Sequence, residues 1–247
     1  MGFIHVVVAV FGLLSVGQSA PVTSCESLIK PLEIQGREQL LGKWTLIGES
    51  TNFPGSQLLK MFVGNAWVNI TLAEESDGIN LYQAQKIHGK CFSVKTEMTL
   101  ANNTLSRSYP MSASEVLLNT GCPDCLVFHM NFTMGENTYR GLQLLSRRTT
   151  LTAAEMEEFT KQRECLGLPS PVILTSDKDF CPEESAIDLT NVANNMGSKA
   201  YNYFSEFINT EAGVKRKSAE EFLFQINSNY SDNNSILSVI CMAKLVA

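Results

Sequence analysis

Histidine is scarce in this chain: three in 247 residues, at positions 5, 88 and 129. No second Cys or His pair stands at zinc-ligand spacing, and no Ser lies in a nucleophile elbow, so metal hydrolysis and nucleophilic catalysis lack their parts. His88 falls in a turn pattern and reads as a solvated surface residue. Positive charge is short as well. Nineteen Lys and Arg against 25 Asp and Glu leave a net charge of −6, which excludes the basic face that nucleic acid requires. After the first twenty residues no apolar run is long enough to span a bilayer. No second Gly-x-Trp and no second strand series follow the first, so the pattern holds one barrel or sandwich, not two. No metal, no cofactor and no enzymatic activity are expected.

What is present begins with residues 1–20, apolar from Phe3 to Val16 and ending in small residues at Ser19 and Ala20. This pattern predicts a secretory signal peptide, although it lacks an early Lys or Arg and Pro21 disfavours the cut after Ala20. The mature chain of about 225 residues suits one domain with some extra length. All seven cysteines lie after the signal, and in an oxidising compartment they read first as disulfides. An odd number leaves one over. Sequons at Asn69, Asn102, Asn131, Asn229 and Asn233 predict a glycoprotein. We therefore expect a secreted, extracellular, monomeric protein.

From Gly42 to Arg148 short apolar runs alternate with turn signals at regular spacing, and we count about eight strands. Thr152 followed by Glu155 is a capping box opening a helix in "LTAAEMEEFTKQRECLGL", where Ala153, Met156 and Phe159 recur at helical spacing and Gly167 stops it. "PVILTS" adds one short strand. Residues 185–247 are rich in Asn and Ser and are expected to form a poorly ordered tail, so the folded domain is placed at 21–184.

The sequons orient the strands, because a glycosylated Asn points outward and side chains alternate. With Asn69 outward, Ala66, Val68, Ile70 and Leu72 point inward; with Asn131 outward, Leu126, Phe128, Met130 and Phe132 do, and His129 faces the surface. Phe92, Val94, Met98 and Leu100 share a face opposite Lys95 and Glu97. Leu46, Val116 and Leu118 complete the expected lining. An eight-stranded barrel of this kind holds one small ligand. The inferred wall carries few charges and no carboxylate that would meet a cation, which favours a hydrophobic or amphipathic guest. The alternative is that these side chains fill one another's space. A bulge would flip the assignment within its strand.

Gly42-Lys43-Trp44 at the head of the first strand, eight strands, a capped helix and a closing strand resemble a lipocalin over about residues 25–182. "TGCPDCLVFHMNF", "EEFTKQRECLGL" and "DKDFCPE" resemble the apolipoprotein M and alpha-1-acid glycoprotein branch, including fish plasma lipocalins that bind saxitoxin, tetrodotoxin or tributyltin. The resemblance implies an all-β, eight-stranded antiparallel up-and-down barrel with one flanking helix. It implies that Trp44 closes the narrow end under an Arg from the last strand; Arg147 fits best by its spacing to Leu151, with Arg148 the alternative. It implies disulfides Cys25–Cys165 and Cys91–Cys181, leaving Cys122 to pair with Cys125 and Cys241 unpaired. Pro123-Asp124-Cys125 keeps only the Asp of the family's middle motif.

"CPDC" at 122–125 also matches a redox dithiol, but it begins a strand rather than a helix, without the strand–helix–strand setting of such enzymes. Two functional readings remain. One is a carrier of a small hydrophobic or amphipathic molecule in extracellular fluid such as plasma. The other is an immunomodulatory or lipoprotein-associated interaction protein, for which retention of the apolar N-terminus would speak.

Overall fold

The computed structural model describes residues 24–53, 63–74, 77–87, 90–108, 112–134, 137–174, 179–183 and 187–188. The leader 1–20, His88, Asn229, Asn233, Cys241 and the rest of the tail beyond 188 lie outside the described residues. Eight antiparallel strands form the wall: β1 Gly42–Thr51, β2 Val63–Leu72, β3 Gly78–Ile87, β4 Lys90–Ala101, β5 Thr104–Arg107, β6 Ala113–Leu118, β7 Cys125–Met134 and β8 Asn137–Ser146. Each pairs with its neighbour in sequence, and β8 returns to β1, so the sheet closes into a barrel, although β4 meets β5 only over Thr99–Ala101. A one-turn helix, α1 (Cys25–Leu28), precedes the barrel, and α2 (Ala153–Cys165) follows it. Two short strands complete the fold: β9 (Val172–Ile173) on β1, and β10 (Ile187–Asp188), parallel to β4 and beyond the expected boundary at 184.

Turn chemistry explains where strands reverse. Asn102 and Asn103 both take positive φ, 49° and 61°, the left-handed pair that a tight hairpin needs and that Asn tolerates best. Asn103 Oδ1 also accepts the Ile34 amide at 3.0 Å, tying the segment before β1 to this hairpin.

The helix forms where its cap predicts. Thr152 Oγ1 accepts the Glu155 amide at 3.3 Å, while Glu155 accepts the Thr152 amide at 2.7 Å. Gly167, at φ +64°, lies just past its end. The helix buries Phe159 against Ile47, Leu118, Val127, Leu142 and Leu144, with Met156 packed on this cluster; Ala153 is exposed. Part of the barrel's outer surface is therefore as apolar as its inside.

Three disulfides join the pairs that the family resemblance implied: Cys25–Cys165, Cys91–Cys181 and Cys122–Cys125. The first fastens α1 to the end of α2, where Gln162 also donates to Leu28 O at 3.0 Å. The second brings Phe180 and Cys181 over Trp67, Tyr82 and Ala84, and the Trp67 indole donates to Cys181 O at 2.9 Å.

At the barrel's lower end Arg148 fixes loop to helix. Its Nε and Nη2 bind the two oxygens of Asp124 at 2.7 and 2.8 Å, and Nη2 reaches Glu155 at 2.7 Å. The Arg148 hydrogen bond and the Thr152 cap hold the Glu155 carboxyl down at about 2. A carboxylate with a depressed folded pKa stabilises fully above the unfolded value near 4.5, and that stabilisation is lost as pH falls toward 2. Glu155→Gln should thus lower the urea midpoint at pH 6 but converge on the parent curve near pH 2. Parallel curves across that interval would refute this assignment.

Candidate ligand-binding site

The closed end is built first. Gly42 takes φ +94°, and a Cβ there would stand 2.9 Å from Arg147 Nη1. Glycine is thus favoured by the backbone conformation, and any side chain there would have to push the Arg147 guanidinium aside. Arg147 lies over the Trp44 ring at 3.4 Å and donates from Nη1 to Lys43 O at 2.7 Å and from Nη2 to Leu41 O. The indole N–H is satisfied by Leu40 O at 2.7 Å. Arg148, the alternative, is instead engaged by Asp124 and Glu155.

Above this floor, strand register assigns each face. Phe128 pairs with Gln143, Met130 with Gly141 and Phe132 with Tyr139, so these residues share the lumen, while Val127, His129 and Asn131 face out. Ala66, Val68 and Ile70 pair with Gln85, Gln83 and Leu81, putting all six on the inner face. Val94 and Met98 pair with Gln83 and Ile79 and are also inward; Phe92 holds the position opposite Gln85. Leu46 pairs with Leu145 just above Trp44. Leu46, Ala66, Val68, Ile70, Val94, Met98, Phe128, Met130 and Phe132 are all buried. At the opposite end from Trp44, Phe53 meets the Tyr139 ring edge-on at 5.1 Å and Phe132 at 5.9 Å.

Two expected lining residues do not line the lumen. Leu117 pairs with Phe128, so Leu117, Glu115 and Ala113 point in, and Val116 and Leu118 point out. Leu118 is buried in the cluster beneath Phe159, with Val116 packed beside it. Their hydrophobicity serves the helix, not the cavity.

The expectation of an interior without carboxylates also fails. A register shift between Leu46 and Gly48 sets Glu49 opposite Gln143 on the lumen side. Glu49 is 2 % exposed, and its Oε2 has no hydrogen-bond partner among the described residues. Glu115 faces in from β6, and Arg107 from the end of β5. Arg107 Nη1 donates to Thr96 Oγ1 at 3.2 Å, while its buried Nε has no partner among the described residues. Burial pushes the Glu115 carboxyl up more strongly than nearby Arg107 pulls it down, and burial likewise lowers the Arg107 guanidinium. Both side chains keep some surface open, as residues bordering a cavity do. Gln83, Gln85 and Gln143 add neutral polar groups to the same wall.

A cavity of about 590 Å³ opens at the seam where β4 separates from β5 and β6. It is lined by inward Thr96, Arg107 and Ala113 together with outward Glu97, Thr99, Ser106 and Ser114, so it spans the thickness of the wall and reaches Arg107 from the side.

The remaining sequence-derived features are structural or outward. Asn69 and Asn131 lie on the outer face and Asn102 is exposed at its hairpin. The Cys122–Cys125 disulfide is buried beneath the helix. No helix among the described residues is long and apolar enough to cross a membrane.

Comparison with solved structures finds the siderocalin Ex-FABP, described as functioning through dual ligand specificities, at 15% identity and a TM-score of 0.53, covering 59% of this chain and 99% of that one. The bovine lipocalin allergen Bos d 2 aligns at 15% identity and a TM-score of 0.48, covering 59% of this chain and 98% of that one. At this identity the likeness to Ex-FABP speaks for the fold alone. Comparison with curated proteins returned no match. The family model described as the ApoM domain matches residues 14–185, a span that takes in the plugged floor, the whole barrel wall and the helix. That match covers well over half of the 247 residues, and with it the chain belongs to the ApoM domain family, a lipocalin-like family of ligand-binding transport proteins rather than enzymes.

Proposed function

We propose that this protein is secreted and carries one small hydrophobic or amphipathic molecule through extracellular fluid. The observation that carries the reading is a closed wall with an apolar inner face, floored by Trp44 and studded with a few polar groups. Such a lining shields the apolar body of a guest while Arg107, Glu115 and Glu49 offer contacts to a polar end. Secretion is supported by the leader pattern and by three disulfides, which persist in oxidising compartments. The outward placement of Asn69, Asn102 and Asn131 supports glycosylation at those positions. The transport domain is residues 21–184, acting as a monomer.

The test is native mass spectrometry of protein taken from its source fluid. The expected result is an excess mass of a few hundred daltons that disappears on organic extraction and returns as one lipophilic species. Protein that is empty as isolated, and that takes up no amphiphile after extraction, would refute carriage. The apolar stretch Phe3–Val16 favours a second reading, association with lipoprotein particles. N-terminal sequencing separates the two: a start near Pro21 supports the free carrier, and a start at Met1 supports the particle-bound protein.

A further inference from the structure

We infer that β10 is a detachable strap bordering a side door in the barrel wall, and that the guest enters and leaves through that door. This rests on the carrier reading and adds the route. Strand β3 pairs with β4 from Lys90 to Thr99, which leaves the other edge of β4 for β5 and β10. β5 takes only Thr99, Leu100 and Ala101. β10 takes Val94 and Lys95, in parallel. Between them Thr96, Glu97 and Met98 have β3 as their one strand partner among the described residues, a gap of about 10 Å along the strand. The cavity of about 590 Å³ stands at this gap, with Thr96 and Glu97 on one side and Ser106, Arg107 and Ser114 on the other.

The end opposite Trp44 is obstructed beside β1, β7 and β8. Phe53 and Phe132 are each 1 % exposed there, and their rings and Tyr139 stand with centroids 5.1 to 5.9 Å apart. The seam is held far more lightly. On its inner side Arg107 crosses from β5 and donates to Thr96 at 3.2 Å, a single hydrogen bond that a passing guest can displace. β10 is two residues long, and parallel pairing is the weaker kind. A ladder this short opens locally, without unfolding of the barrel. Its release would lengthen the free edge from three residues to the whole run Lys90–Met98, about 30 Å of strand. Six residues before β10, Cys181 is bridged to Cys91 at the head of β4, so the strap stays tethered when it lifts. Its register also suits reclosing. Ile187 holds the position opposite inward Val94, and Asp188 the one opposite outward Lys95, in step with the alternation of the wall.

The experiment loads full-length protein with dansylated undecanoic acid and mixes it in a stopped-flow with excess phosphatidylcholine vesicles, which take up released probe. Ile187→Pro removes a backbone donor and fixes φ within the strap. It should speed both uptake and release by about fivefold or more with Kd unchanged within about twofold, because a door alters rates and not the equilibrium. Ser106→Trp adds bulk at an exposed, outward position on the rim. It should slow both rates by a similar factor, again at constant Kd. Constant Kd also shows that each variant is folded. The inference falls if either variant exchanges probe at the parental rates. It falls as well if release changes while uptake does not, since the substituted residue then contacts the guest instead of guarding its path. In those cases carriage itself stands. If the parent protein takes up no probe, the carrier reading fails and this inference fails with it.

Discussion

Removal of the Cys25–Cys165 bridge by paired substitution to alanine should lower stability by about 5 kcal/mol, the largest single loss expected in this fold. The bridged residues are 140 apart in sequence, and the chain-entropy model scales the effect with the logarithm of the closed loop. Cys25 is exposed and Cys165 half-buried, so neither thiol contributes much to the core. The loss should therefore report cross-linking rather than packing. For a domain of this size it corresponds to a fall in Tm of about 10–20 °C. The Cys122–Cys125 pair offers the contrast, being only 3 apart in sequence. The same model assigns it roughly 2 kcal/mol, even though its sulfurs are buried beneath the helix. Urea melts of both paired variants at equal protein concentration decide the matter. If the short bridge proves as important as the long one, packing around Cys122 and Cys125 outweighs loop closure. The long bridge gains a second consequence from its position: it holds α1 against Gln162, so its loss should also release the Leu28 carbonyl from the Gln162 amide.

The readability of the sequence depended on whether one face of each strand had a single solvent to meet. On β2 and β7 the outer faces carry Asn69 and Asn131, polar positions that reveal alternation directly, and register places Ala66, Val68, Phe128 and Met130 inward. On β6 the outer face is covered by α2, so both faces demand apolar residues and "VLL" at 116–118 carries no phase. Val116 and Leu118, expected in the lumen, belong to that covered outer face. The signal pointing the other way was Glu115 two residues from Leu117, readable only if a charge is allowed inside. On β1 the shift between Leu46 and Gly48 reverses the phase, and the strand glycine at 48 is the trace a bulge leaves in sequence. Without that reversal Glu49 would face out and the lumen would lose one of its carboxylates. The floor, by contrast, was legible because Gly42, Trp44 and an arginine are rare residues at fixed spacing, and the disulfides were legible through family resemblance alone.

Trp44→Ala should destabilise the protein by about 3–5 kcal/mol, the range for truncating a large buried aromatic. Several losses coincide at this position. Trp44 is 4 % exposed, so removal leaves a void at the base of the barrel. Its indole N–H satisfies Leu40 O, which would be left without that donor. Arg147 at 3.4 Å would lose the ring face beneath it while keeping its bonds to the Lys43 and Leu41 carbonyls. Trp44→Phe separates these contributions. It keeps most of the buried ring and a π-face for Arg147 but loses the N–H donor, so roughly 1–2 kcal/mol is expected. Gly42→Ala tests the other half of the same device. Positive φ and the 2.9 Å approach to Arg147 Nη1 should cost about 1–3 kcal/mol without touching the ring. Because the guanidinium sits between Gly42 and Trp44, the two substitutions share a partner, and the double variant should lose less than the sum. Urea unfolding read by far-UV circular dichroism provides all four values, since the chain has only two tryptophans and removing one changes the fluorescence baseline. A Trp44→Ala loss below about 1 kcal/mol, the level of an ordinary surface change, would show that the ring merely occupies the floor, and strict additivity with Gly42→Ala would show that Arg147 does not link them.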